Sequence, residues 1–351
     1  MQRKLRLVCR AVRITCGQVW GSSGCVQVGR GRVFGRHDRL MQTDPFTGRP
    51  TCIQGGRLPS DEERRALQHD HGRRLEALAR FGAAAARVGI GTDPDDDLVL
   101  WEADEIGLLS GADPLWHELD EAARAFRALL PIISLTDFGF PEQVEDLLAE
   151  CGPRLRPISS GVEATAFQAD DRSIYKFFMP RDSGRIGGTF EFRRGEEVAL
   201  LADAADGSYR AMLEKFDLIV RLDGMPTEVI GVTKNEGVLV TKQTLGTLLA
   251  EGADTSGVQP APLIPIPSRF LRAHRDHPRL YFVDGKPWLV ADLHSKNLVR
   301  AADGELRAID LLAAPLPAEL VAKEPLLVEW LERALLDPKA PLLRATHDDE
   351  L

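Results

Sequence analysis

The chain has 351 residues, 44% of them apolar, and a formal net charge of −9. That length admits two domains or one domain with an extension, and the apolar share is enough for a sizeable core. Residues 1–40 hold nine Lys or Arg against one acid, Asp38, so that segment is near +8 and the remainder near −17, which argues against nucleic acid as a partner of the body.

Four of the five cysteines, Cys9, Cys16, Cys25 and Cys52, fall near the start, without CxxC spacing. That pattern points away from a disulfide framework or a zinc site and toward a reducing, cytoplasmic setting. No apolar run is long enough to span a bilayer, so no membrane partner is expected. Residues 1–59 read as a basic, disordered extension without the apolar core of a secretory signal. Met41 opens a more ordinary stretch, which leaves Met1 and Met41 both open as the start.

Residues 60–150 read as helical. Ser60 to Glu63 spells a capping box with acids in the first turn, and Leu67, Leu75, Leu78 and Phe81 follow near helical spacing. A Gly-Thr-Asp-Pro loop at 91–94 precedes a second helix, Asp113 to Leu130, which Pro131 stops. A third helix is expected over Pro141 to Glu150. The tripeptide Asp137-Phe138-Gly139 between them matches a magnesium-binding motif of protein kinases in its letters, but it precedes every other candidate motif and reads as a chance match.

From residue 155, within a domain read as 151–345, the period changes to that of strands. "LRPISSGVEATAFQADDRSIYKFF" reads as strand, small-residue loop around Gly161, strand, turn at Asp170-Asp171, strand. On the last strand Ile174, Lys176 and Phe178 share one face. A lysine between apolar neighbours is costly to bury unless it meets an anion, and the loop at Gly161 would let backbone N–H groups approach a phosphate. The stretch "FEFRRGEEVALLADAA" then reads as a helix on which Glu197 and Leu201 share a face, so that Glu197 meets Lys176; Glu191 and Glu196 are rivals. A hairpin turning at Asn235-Glu236-Gly237 ends in a strand whose exit, Thr241, Lys242 and Gln243, is placed to line an adenine pocket. Residues 252–268 are rich in Pro and Gly and read as a loop.

In "KPWLVADLHSKNLVRAADGELRAID" an apolar strand runs into a turn holding Asp292 and Asn297. Asp303-Gly304 is a hairpin signal, and the returning strand ends at Asp310. The hairpin brings Asn297 and Asp310 together, an amide and a carboxylate able to hold Mg²⁺ against ATP phosphates. Asp292 stands at the near rim, where a second carboxylate orients an attacking hydroxyl. A last helix is read around Pro325–Leu336.

The order of Gly161 loop, Lys176, a helix glutamate, a hairpin ending near Lys242, "DLHSKN" and "AID" resembles the protein-kinase-like superfamily over about residues 151–345. It is most similar to the aminoglycoside phosphotransferase branch and to kinase-like domains of polyvalent proteins in phages and mobile elements. The resemblance implies an α+β, two-lobed fold, with a small antiparallel-sheet lobe and a reduced helical lobe. It implies Lys176 on the ATP phosphates, Glu197 as its partner, Asp292 as base, and Asn297 and Asp310 on Mg²⁺. His294 reads as a hydrogen-bonded loop histidine. The implied function is an ATP- and Mg²⁺-dependent phosphotransferase acting on a hydroxyl of a protein or small molecule. The alternative is a catalytically inactive kinase-like scaffold.

Overall fold

The computed structural model of the chain describes residues 42–43, 50–51, 56–90, 99–101, 106, 113–193, 200–250, 253, 255, 264–266, 271–272 and 278–336. The chain divides into two compact units, Met1–Cys52 and Ile53–Leu351. In the first, β1 (Gln42–Thr43) pairs antiparallel with β2 (Pro50–Thr51). The expectations for residues 1–40 and for the 91–94 loop fall outside the described residues. Residues 56–59, read from sequence as the end of a disordered extension, are instead pinned within the second unit. Gly56 N–H donates to Leu245 O at 3.0 Å and Thr244 Oγ1 to Arg57 O at 3.3 Å.

The second unit is α+β. Helix α1 (Asp61–Arg87) starts where the sequence places it: Ser60 accepts from the Glu63 N–H, and Glu63 returns the bond to the Ser60 N–H at 2.6 Å. Helix α2 (Pro114–Arg127) is capped by Asp113 with proline in its first turn. The expected third helix over 141–150 does not form; the segment is a series of bends and turns. Glu150 accepts from the Glu145 and Asp146 N–H groups at 2.8 and 2.9 Å, and Asp146 accepts from Leu148 N–H at 2.8 Å. Such local side-chain acceptors compete with the helix ladder for the same donors.

Strands β3 (Ile132–Ile133), β4 (Leu155–Ser160), β5 (Thr165–Ala169), β6 (Ser173–Phe178), β9 (Thr227–Thr233) and β10 (Leu239–Thr244) form one sheet in the order β3-β9-β10-β6-β5-β4. All its pairings are antiparallel except β3 with β9. Gly231 permits that parallel edge, because any side chain there would collide with Pro131 O and Ile133. Consecutive Phe177 and Phe178 are both buried, on opposite faces. Phe177 joins a cluster with Phe140, Phe167, Val238 and Val240. Phe178 packs with Leu78, Phe81, Phe126, Met212 and Phe216. The helical segment and the strands after it thus share one core, and the division expected at 150/151 runs through it.

The stretch expected to be a helix carrying Glu197 is bounded by strands: β7 (Gly188–Arg193) pairs antiparallel with β8 (Leu200–Asp206). Glu196 and Glu197 themselves lie outside the described residues. The helix of this region comes later, as α3 (Tyr209–Arg221), capped by Ser208. It is buried on both sides. Met212, Leu213 and Phe216 face the first core, while Leu218, Ile219 and Leu222 pack on Tyr281, Trp288 and Val290 of a second sheet.

That second sheet takes the order β12-β14-β15-β18, all antiparallel, from β12 (Ile264–Ile266), β14 (Arg279–Val283), β15 (Lys286–Ala291) and β18 (Leu312–Pro315). β12 falls within the stretch read as a loop. A three-stranded sheet joins β11 (Thr247–Leu248) to the hairpin β16 (Leu298–Arg300) and β17 (Leu306–Ala308), which turns at Asp303-Gly304 as expected. β13 (Leu271–Arg272) runs parallel to β8. After β10 the described helices are α3's successors α4 (Ala318–Val321) and α5 (Pro325–Leu336), the last at the bounds read from sequence. The reduced helical lobe that the resemblance implied is therefore built mainly of strands.

Candidate functional site

The site assembles around one peptide group. The hairpin register opposes Leu298 and Ala308, so Asn297 and Ile309 flank its open end, and Ile309 N–H donates to Asn297 O at 2.9 Å. The Ile309 carbonyl accepts from Lys176 Nζ at 2.7 Å and from Gln243 Nε2 at 3.2 Å. Lys176 and Thr241 are direct cross-strand partners on β6 and β10, so Lys176, Thr241 and Gln243 share a face. Thr241 is fully buried and its Oγ1 has no hydrogen-bond partner, a state that leaves a polar atom without compensation.

Next to this hub lies a buried charge cluster. Lys215 of α3, with its side chain 0% exposed, donates to Glu163 Oε2 at 2.5 Å and stands 3.5 Å from Asp310 Oδ1. Glu163 comes from the loop that follows Gly161. Burial alone would pull Lys215 down, but Asp310 and Glu163 hold its ammonium above the ordinary range. Burial disfavours the Asp310 carboxylate too, yet Lys215, Lys176 and the Leu311 N–H at 2.9 Å keep it below the ordinary range and ionised. Lys176 is pulled down by burial and by Lys215, against Asp310 and Glu163. Glu163 is pushed up by burial and by Asp310, with Lys215 offsetting only part.

The neighbouring turn is closed on itself. Asn297 Nδ2 donates to Asp292 O at 3.0 Å and to Asp292 Oδ2 at 2.8 Å, while His294 Nε2 meets Asp292 Oδ1 at 2.9 Å. Lys296 N–H donates to His294 Nδ1 at 3.2 Å, so Nε2 carries the imidazole proton toward Asp292. Asp292 takes φ +68°, a left-handed conformation that costs roughly 1–2 kcal/mol for an L-residue and that aspartate tolerates better than most. The turn holds it there through the Asn297 and His294 side chains and the His294 N–H bond to its carbonyl at 3.0 Å.

Of the residues expected in the site, Lys176, Thr241, Gln243, Asn297 and Asp310 converge on the Ile309 hub, with Asp292 one hydrogen bond away through Asn297. Lys242 does not belong. It lies on the opposite face of β10, pairs with Asp171 at 3.0 Å and stands over the Tyr175 ring at 5.5 Å. Gly161 forms the tight turn to Ala164 O at 2.9 Å, and a side chain there would make only ordinary contact, so its role is to launch the loop that carries Glu163. Glu191 is an exposed side chain on β7 and faces Arg185 at 3.7 Å. Lys215 and Glu163 were not anticipated. Their signal was present in Met212, Lys215, Phe216 and Ile219, an apolar helix stripe interrupted by one lysine.

The Asp137-Phe138-Gly139 tripeptide is structural. Asp137 Oδ2 accepts from the Ser134 N–H at 3.1 Å, closing a capping box on a 3-10 turn over Leu135–Phe138. Phe138 packs against Tyr175 and Phe177. Asp137→Ala should cost about 1 kcal/mol of stability and leave any nucleotide binding unchanged, as read by urea denaturation and calorimetry. Loss of Mg²⁺-dependent binding in this variant, with Asp310→Ala retaining it, would reverse the assignment.

A chain of hydrogen bonds ties α1 to the hub. His71 Nε2 donates to Thr227 O at 2.8 Å, and Gln243 Nε2 donates to Thr227 Oγ1 at 2.7 Å before reaching Ile309. Burial, then the neighbouring Arg74, lower His71 to about 4 from an ordinary 6.5. The unfolded chain therefore binds a proton that the folded one refuses between those values. This part of the stability is present above pH 6.5 and lost as pH falls toward 4, by about 3 kcal/mol in full. His71→Gln should flatten that limb in urea titrations from pH 7 to 4; an unchanged slope would assign the acid sensitivity elsewhere.

Comparison with protein-family models, curated proteins and solved structures finds no match to this chain. Whether Mg²⁺ suits the site rests on the donors. Asp310 offers an ionised carboxylate. Asn297 turns its amide nitrogen to Asp292, so its amide oxygen points away from that contact. Hard oxygens of this kind, with few protein carboxylates, are what Mg²⁺ takes when phosphates complete its shell. Among the described residues no group of three or more His, Cys, Asp or Glu is arranged to hold a metal unaided. The described residues also hold no helix long and apolar enough to cross a membrane.

Proposed function

We propose that the protein is an ATP- and Mg²⁺-dependent phosphotransferase of protein-kinase-like architecture, acting on a hydroxyl of a protein or small molecule in a cytoplasmic setting. One observation carries the reading: two lysines from different elements meet at the end of one hairpin, Lys215 standing 3.5 Å from Asp310 Oδ1 and Lys176 donating to the adjacent Ile309 carbonyl at 2.7 Å. A fully buried lysine beside a half-buried one gathers positive charge that favours an anion, and a polyphosphate supplies one. The antiparallel run β4-β5-β6-β10-β9, with α3 between β6 and β9 in the chain, supports the small lobe implied by the resemblance.

The chain's own groups divide the work. Lys176 holds position on the Ile309 carbonyl and offers its charge to phosphate oxygens. Thr241 keeps a free buried hydroxyl on the same face, at the nucleotide's base end. Asn297 and Asp310 would hold Mg²⁺, which when bound offsets charge on the transferring phosphoryl group. Asp292, oriented by Asn297 and His294, accepts the hydrogen bond of the acceptor hydroxyl.

A second reading, an inactive binding module, is favoured by a specific fact: Lys176 and Lys215 are each already engaged, by Ile309 O and Glu163. Incubation of the full chain with γ-labelled ATP and Mg²⁺ separates the two. Self-labelling, or ATP hydrolysis abolished in Asp310→Asn, is expected of the phosphotransferase; nucleotide binding without either marks the module.

A further inference from the structure

We propose that Glu163 is a resident stand-in for a phosphoryl group: its carboxylate occupies Lys215 from the β4–β5 loop, and a polyphosphate ligand binds by displacing it. The inference rests on the phosphate-site part of the proposed function. It makes Lys215 a phosphate-binding residue and Glu163 the group that sets its affinity.

Several observations converge. Lys215 is sealed on α3, with its side chain 0% exposed and Glu163 Oε2 at 2.5 Å. A fully buried ammonium requires an anion at all times. Asp310, the other candidate, stands 3.5 Å away and shares its charge with Lys176. Glu163 therefore fills the place of an anion that the site is built to hold.

The fit around its carboxylate is specific. Gly188 at the start of β7 leaves room for it, since any side chain at that position would collide with Glu163 Oε1. The loop that delivers Glu163 is a short hairpin turn between the paired residues Ser160 and Thr165. Gly161 N–H bonds within the loop to Ala164 O at 2.9 Å, and Val162 at its tip is 88% exposed. Glu163 is thus a partly buried side chain, 21% exposed, on a turn whose neighbour faces water.

Position decides which acid leaves. Asp310 follows the hub residue Ile309 directly in the chain and accepts from the Leu311 N–H at 2.9 Å, whereas Glu163 projects from a hairpin turn and is the acid in direct contact with Lys215, at 2.5 Å. Burial and Asp310 both disfavour the Glu163 carboxylate. A terminal phosphate brings more charge and more acceptor oxygens to Lys215 than a single carboxylate does. On displacement, Glu163 swings outward with its loop, and its charge is rehydrated.

The test measures affinities of the full chain for ATP, AMP and inorganic triphosphate by calorimetry, in wild type, Glu163→Gln and Glu163→Asp. The Gln variant keeps the shape and removes the charge; the Asp variant is too short to reach Lys215. Both should tighten ATP and triphosphate about ten-fold or more, the worth of one charge-assisted hydrogen bond, and leave AMP within two-fold. In a Lys215→Met background the Glu163→Gln gain should vanish, a coupling that general loosening of the loop would not produce. Equal ATP and triphosphate affinities in wild type and both Glu163 variants overturn the inference, and if wild type still transfers label from ATP the phosphotransferase reading stands without it. Tightened triphosphate binding with no transfer from ATP keeps the phosphate site and removes the phosphotransferase. No binding of any probe to any variant refutes the site itself.

Discussion

Asp310→Asn should lower turnover of labelled ATP by about two to three orders of magnitude, the usual loss when one preorganised charge at a phosphoryl or oxyanion centre is removed. The variant keeps the side chain's size and its neighbours: Lys215 retains Glu163 at 2.5 Å, and Lys176 retains Ile309 O at 2.7 Å. It removes the acid at the hairpin end where the two lysines meet, so the increment in ATP affinity that Mg²⁺ gives should disappear as well. Asp292→Asn should behave differently. Asp292 bonds to Asn297 and His294 and has no contact with either lysine. Mg²⁺·ATP affinity should stay within a few-fold, while turnover falls, the pattern of an interaction made mainly in the transition state. Calorimetry with and without Mg²⁺ on both variants checks the pair. If wild type binds ATP equally well with and without the metal, Asp310 has no metal role.

The largest effect on stability is expected from Phe177→Ala. Phe177 is fully buried on β6. Its ring meets Phe138, Phe140 and Phe167 edge-on, at centroid distances of 5.4, 5.2 and 5.5 Å. Truncation opens a cavity among rings that are themselves fixed by strands, so collapse can fill little of it. A loss of about 3–5 kcal/mol is expected, with the severed aromatic pairs placing it toward the upper end. Leu335→Ala on α5, at a position 62% exposed, should stay within about 0.5 kcal/mol. Urea midpoints at constant slope measure both. A Phe177→Ala loss under 1 kcal/mol would mean that the aromatic cluster is not a packed core.

Where local chemistry decides structure, the sequence was readable. The Ser60–Glu63 box, the Asp303-Gly304 turn and the α5 bounds each rest on a short-range rule, and each stands in the fold. The failures come from competition between periods. Over 188–206 the four-residue spacing of Glu197 and Leu201 suggested a helix, but Phe190 and Phe192 also alternate, and Arg193 meets Asp203 across the hairpin at 2.7 Å. Pairing between strands is a non-local gain that helix spacing does not weigh. At 141–150 the acids that looked like helix surface bond back to their own backbone.

The site was legible in part for the same reason. Lys176 stood out as a charge on an apolar strand, and Asp292, Asn297 and Asp310 as a spacing around a hairpin. Lys215 carried an equal anomaly, a charge within an apolar helix stripe, yet a helix lysine commonly reaches water along its stem. In the fold that exit is gone: the side chain is 0% exposed and its ammonium ends on Glu163 and Asp310. Lys242 misled because adjacency along a strand says nothing about face: one residue's shift sends a side chain to the other side of the sheet.

The hub at Ile309 has a consequence for how such a protein tolerates change. Its three bonds, to Asn297, Lys176 and Gln243, are made by the main-chain N–H and C=O of one residue. Every amino acid except proline supplies those same two groups. A scan of side-chain replacements at 309 would therefore register only the loss of a packed isoleucine and report the position as ordinary. The wiring that joins Asn297, Lys176 and Gln243 is written in the one part of the chain that point substitution does not edit. It would show itself to backbone chemistry, such as an amide-to-ester exchange at 309 or 310, while drifting sequences could preserve it without preserving a single letter there.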